Sequence, residues 1–100
     1  MAIVVRHVFQ AKYGRGDEVV AAMKEMSADM AGRVRGYRVM TDLSGPFFTI
    51  VMEYEVESLG EFEKGMAEAF ADPRMQEFMN RTAPLIESGR REFYTVQHRA

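Results

Sequence analysis

The side chains with chemistry to offer in this chain are one internal histidine, three tyrosines on separate extended segments and six methionines at helical spacing. His7 sits in IVVRHVFQ and shares a strand face with Ile3, Val5 and Phe9. An imidazole titrates near neutrality, so on an apolar wall it is a candidate proton acceptor. The plainer role is a strand histidine satisfied by its neighbours. His98 lies near the C-terminal end and reads as a tail residue. Tyr37, Tyr54 and Tyr94 fall on three strands. A buried tyrosine needs a partner for its hydroxyl, so three on one face would hold an aromatic or polar-headed ligand; filling an amphipathic core is the competing role. His7 is thus the candidate catalytic base, and His7, Tyr37, Tyr54 and Tyr94 are the candidate substrate-binding residues. Glu53 and Glu55 flank Tyr54 and point the other way, toward ion pairs with Arg6 or Arg38. Met23, Met26, Met30, Met66, Met75 and Met79 pack a core or line a pliable pocket for a flat apolar ligand.

Other chemistries are excluded by what is missing. There is no cysteine, hence no disulfide scaffold, thiolate metal site or cysteine nucleophile. Ser58 is taken up as a helix cap, and the chain has neither G-x-S-x-G nor a phosphate-cradling glycine loop. We expect no metal and no cofactor.

Positioning falls to a short series of elements. Residues 3–10 are β-branched and aromatic, a strand. Gly14 and Gly16 mark a turn, and Asp17 is the expected cap of a helix whose stripe is Val19, Met23, Met26 and Met30, with Gly32 at its end. Residues 36–43 and 47–56 form two strands joined by Ser44, Gly45 and Pro46, a hairpin. Ser58 with Glu61 makes a capping box for a second helix, striped by Leu59, Phe62, Met66, Ala69 and Phe70. Asp72-Pro73 breaks and restarts it, since aspartate caps and proline suits the first helical position. Gly89 is expected to stop this region before a last strand over 90–97. The order is βαββαβ in a single domain over residues 1–100.

At 47% hydrophobic and 28% charged, the composition is that of a folded domain. The opening MAIVVRHVFQ reads as a strand rather than a signal peptide, because Arg6 and His7 interrupt its apolar run. No apolar stretch approaches the ~18 residues of a membrane span. A net charge of −2 with interspersed signs draws the chain to neither nucleic acid nor anionic lipid. Strand one lacks an aromatic before Phe9, and Glu53 and Glu55 would repel phosphate, so base stacking on the sheet is excluded too. A cytoplasmic location is expected.

One layer of helices covers one face of a four-stranded antiparallel sheet, yet neither face of these strands is polar. Residues such as Val4, Val8, Phe47 and Val51 stay apolar on the side opposite Ile50 and Met52. Monomers rarely expose a large apolar patch, and a twofold sheet-to-sheet homodimer closes it.

With this order of elements in place, the chain resembles the dimeric α/β-barrel superfamily of ferredoxin-like fold, and its C-terminal half resembles the NIPSNAP-type branch. The resemblance is carried by EYEVESLGEFE (53–63) and FADPRMQEFMNRTAPLIESGRREFY (70–94), with AKYGRG (11–16) at the turn after strand one. It departs near the end of strand three, where the resemblance implies a tryptophan and this chain has Tyr54. The resemblance implies a ferredoxin-like fold and a homodimer, and relatives that include cofactor-free monooxygenases of polyketide quinols, lactone isomerases and haem-degrading enzymes. The haem enzymes imply an axial histidine on the second helix; residues 58–88 contain none, so haem is rejected. Two functions remain. One is a small-molecule-binding or dimerisation module for an apolar or aromatic ligand. The alternative is a cofactor-independent monooxygenase or isomerase acting on an aromatic or polyketide-like substrate.

Overall fold

Residues 2–100 are described in a computed structural model of the chain. Their elements run β1 (Ile3–Ala11), α1 (Gly16–Arg33), β2 (Arg35–Thr41), β3 (Thr49–Val56), α2 (Leu59–Phe70), α3 (Pro73–Thr82), a 3₁₀ turn (Ala83–Leu85) and β4 (Ile86–Thr95). The strands form one antiparallel sheet in the order β2-β3-β1-β4. This is the α+β, ferredoxin-like βαββαβ arrangement with its second helix divided.

Register decides which side chains share a face. Val5 pairs with Tyr54 and with Phe93, and His7 pairs with Met52 and with Arg91. Because alternate residues point the same way, one face collects Val5, His7, Phe9, Ile50, Met52, Tyr54 and Val56, and α1 packs on it. In β2 the ladder skips from Arg35 to Arg38, and Gly36 takes the positive φ of +63° that this irregularity requires. Tyr37 and Val39 then fall on the helix face, while Arg38 and Met40 fall opposite. The core has two clusters on that face. Ala11, Val19, Met23, Ile50 and Leu85 form one, and Val5, Tyr54 and Val56 form the other, with Met52 packed against both.

Three expected boundaries shift. α1 begins after Arg15, whose side chain makes no cap bond, so Asp17 is not the cap. It lies inside the first turn, where a carboxylate still complements the helix dipole. β3 begins at Thr49 because Phe48 has φ +60°, a left-handed conformation rare for a bulky residue, which takes Phe47 and Phe48 out of the strand. β4 begins at Ile86, so Gly89 is not a stop. A Cβ at Gly89 would lie 3.1 Å from a ring carbon of Phe9, the residue it pairs with on β1. Glycine is there to let that ring lie over the strand.

The breaks around α2 follow the capping residues. Ser58 Oγ accepts from the N–H of Glu61 at 3.1 Å, and the Glu61 carboxylate accepts from the N–H of Glu57. Asp72 Oδ1 accepts from the N–H of Arg74 at 2.9 Å, with Pro73 in the first turn. Asp72 also takes the guanidinium of Arg74 and that of Arg33. We therefore predict that Asp72→Ala lowers the melting temperature by roughly 5 °C, and more than Ser58→Ala does. Asp72→Asn keeps a capping oxygen and should recover most of the loss, which separates the cap from the charge. Thermal unfolding of the three variants checks the order, and a harmless Asp72→Ala would mean that the cap does not hold α3.

The other sheet face carries no helix. Val4, Val8, Met40 and Val51 lie on it around Glu53, which is 5% exposed. Burial alone would push the Glu53 carboxyl up, but hydrogen bonds from Arg38 (2.7 Å) and Arg6 (2.9 Å), with their charges, hold it below the usual carboxylate range. Among the described residues no helix is long and apolar enough to cross a membrane.

Candidate functional site

Between the helix face of the sheet and α1, α2 and α3 lies a cavity of about 640 Å³. α2 covers it without closing it: none of its residues is buried, and Phe62 reaches the sheet against Val5, Tyr54, Val56 and the Phe93 ring. Met23, Met26, Met30, Met52, Met66, Met75 and Met79 line it, seven of the nine methionines in the chain. A stripe that could have closed the core instead surrounds an opening, and unbranched thioether side chains suit a wall that adapts to its contents.

The sheet floor carries a histidine and two tyrosines. His7, from the centre of β1, is buried, and its Nε2 lies 3.3 Å from the Tyr54 hydroxyl of β3. Either atom can donate, according to the imidazole tautomer. The His7 ring is parallel to that of Phe9, with centroids 6.2 Å apart. Burial, with the positive charge of Arg91, holds the His7 pKa down at about 4. The imidazole is therefore neutral at physiological pH. Burial raises the Tyr54 hydroxyl, against the opposing charge of Arg91, and burial also raises Tyr37. Both tyrosines are neutral donors. The floor thus offers a neutral base touching a neutral donor within an apolar enclosure.

Three of the four sequence-based candidates, His7, Tyr37 and Tyr54, line this cavity. Tyr94 does not. It pairs with Val4 on the outer face of the sheet, where its ring lies under the Arg6 guanidinium (5.2 Å to the centroid) and its hydroxyl donates to Glu92 at 3.1 Å. The cause is strand alternation: Phe93 pairs with Val5 and faces inward against Phe62, so its neighbour faces out. Arg91, two residues before Phe93, lines the cavity and was not legible as a site residue. Its signal was the same alternation, once the inward residue of β4 is known. His98 lies in the exposed C-terminal segment. Among the described residues no group of three or more histidine, cysteine or acidic side chains could hold a metal ion.

No protein-family model matches the chain, and no curated protein does. Solved structures do. A NIPSNAP family protein from Agrobacterium tumefaciens superposes with a TM-score of 0.81 at 22% identity, over 95% of this chain and 92% of that one. An uncharacterized NIPSNAP-like domain protein from Burkholderia xenovorans gives 0.83 at 18% identity, over 96% and 85%. A candidate antibiotic biosynthesis monooxygenase from Chloroflexus aurantiacus gives 0.69 at 19% identity, over 98% and 97%. At these identities the likeness establishes a shared fold, that of NIPSNAP family structures, and does not carry an activity.

Proposed function

We propose that the cavity binds a small planar, largely apolar molecule bearing an oxygen that Tyr54 or His7 can hydrogen-bond, and that the chain works as a homodimer in the cytoplasm. The observation that carries the first part is the His7–Tyr54 pair, 3.3 Å apart, on the floor of a largely apolar, methionine-lined cavity. Ligand sites have this character: apolar walls with a few convergent polar groups. The homodimer is supported by the helix-free sheet face, where Val4, Val8, Met40 and Val51 surround a carboxylate already neutralised by two arginines. Cytoplasmic residence is supported by the lack of cysteine.

A second reading is favoured by the same pair. A neutral imidazole beside a hydroxyl donor can accept a proton from a strongly acidified carbon or phenol, its pKa of about 4 limiting it to such substrates, while the tyrosine stabilises the developing oxyanion. That is the step an isomerase or cofactor-independent monooxygenase of aromatic or polyketide-like substrates would need, and the likeness to the Chloroflexus aurantiacus protein supports it.

A thermal-shift series of planar hydroxylated aromatics tests the binding reading. At a concentration a hundredfold above its Kd, a ligand of the native state adds about 2.7 kcal/mol, a rise of roughly 10 °C in a domain of this size. We expect such a rise in the wild type and its loss in His7→Gln and Tyr54→Phe. A series with no responding compound, or variants that respond like the wild type, would remove the site from this cavity.

A further inference from the structure

Arg91 stands apart from the other arginines of the chain. Of ten arginines, each of the other nine makes an ion pair with a carboxylate, and Arg91 makes none among the described residues. It pairs with His7 across the β1–β4 ladder, so both project from the same face into the cavity. Its guanidinium carbon lies 5.1 Å from the centroid of the Phe62 ring of α2, which holds the group against an aromatic wall. Its charge acts on both His7 and Tyr54, which places it within electrostatic reach of the two polar groups of the floor.

The remaining charges lining the cavity stand on its helical side. Arg33 is bound to Asp72, and the Glu61 carboxylate accepts from the N–H of Glu57. Lys64 and Glu68 belong to the exposed surface of α2. On the sheet side Arg91, also exposed, is the one charged residue that lines the cavity, and among the described residues it has no carboxylate partner.

We propose that the cavity selects an anionic planar ligand, an aromatic or conjugated ring carrying a carboxylate or an ionised hydroxyl, with the anionic group held by Arg91 and Tyr54 and the ring among the methionines. The proposal rests on the cavity being a ligand site and adds the charge of what it takes. A planar guanidinium pairs well with a carboxylate through charge-assisted hydrogen bonds, and Arg91, itself exposed, presents that fork at the open edge of the cavity while its neighbours His7 and Tyr54 are buried. A neutral histidine fits the arrangement, because a second cation would crowd Arg91, and in its Nε2–H tautomer it donates to the Tyr54 oxygen and leaves that hydroxyl free to donate to the anion.

Calorimetric titration with 2-naphthoate and its uncharged counterpart 2-naphthamide, at pH 7.5 and 0.1 M salt, tests it. The wild type should bind the acid about tenfold more tightly than the amide, the equivalent of one charge-assisted contact. Arg91→Gln should bring the acid down to the affinity of the amide and leave the amide unchanged. The unchanged amide affinity also shows that the variant is folded. Arg91→Lys should keep part of the preference, because a point charge remains without the planar fork. Equal binding of acid and amide by the wild type would overturn the anion selection while leaving the ligand site standing. A preference that survives Arg91→Gln would overturn the assignment of the charge to Arg91. Binding of neither compound would overturn the proposal together with the ligand-site reading beneath it.

Discussion

Acidification from pH 6.5 to pH 4 should cost the protein roughly 3 kcal/mol of stability through His7 alone, and the loss begins above pH 5, where most carboxylates are still ionised. In the unfolded chain the imidazole takes a proton near pH 6.5; in the folded protein, burial and the nearby Arg91 delay this to about 4. Between those values the unfolded state binds the extra proton, so stability falls as pH falls. Above 6.5 the residue contributes no pH dependence, and below 4 its penalty is complete. Urea titrations at fixed protein concentration between pH 7.5 and 4.5 measure the slope. His7→Gln should flatten it, because glutamine keeps a polar group beside Tyr54 and has no proton to gain. A wild-type curve already flat over this range would show that His7 is solvated rather than enclosed.

Val51→Lys should dissociate the proposed homodimer. Val51 pairs with Val8 and with Met40, so its side chain projects from the helix-free face near the middle of the sheet. A sheet-to-sheet contact would bury a lysine there in each subunit. An unpaired buried charge costs several kcal/mol, and a twofold arrangement imposes the cost twice. Glu53, the carboxylate on the same strand face, offers no relief, because Arg6 and Arg38 already occupy it. Sedimentation at micromolar protein should show a dimer for the wild type and a monomer or precipitate for the variant. A dimer of unchanged stability in Val51→Lys would place the interface elsewhere.

The fold was legible wherever local pattern and tertiary demand agree. The alternation of TIVMEYEV, the Met23-Met26-Met30 stripe, the Ser58–Glu61 box and the Asp72-Pro73 restart all stand in the structure as the sequence implied. Failures came where a distant residue decides. Gly89 looks like a stop until the Phe9 ring above it is seen. Phe48 looks like strand until its positive φ is seen. The site was legible in β1 and β3, whose faces are fixed by strong apolar alternation, and in Tyr37 of β2. In β4 the run RREFYT offers a similar mix to both faces, and only pairing of Phe93 with Val5 turns Arg91 inward and Tyr94 outward. The cavity itself had no sequence signature, because the same methionines would fill a closed core equally well.

The way α2 is fastened bears on how quickly a ligand could come and go. The helix is secured at its ends by Ser58 and by the Asp72 restart, while none of its residues is buried. A segment with partly buried contacts alone, Phe62 and Met66 chief among them, opens locally at lower free energy than the packed sheet. The wall can therefore swing or fray while Val5, Ile50 and Val56 stay packed. For a ligand of the proposed kind, entry and exit would need only this local opening, so exchange would be fast and a snug closed fit would not be required. Ligands of differing length would then pass by one route, with residence time governed by the grip of the sheet floor.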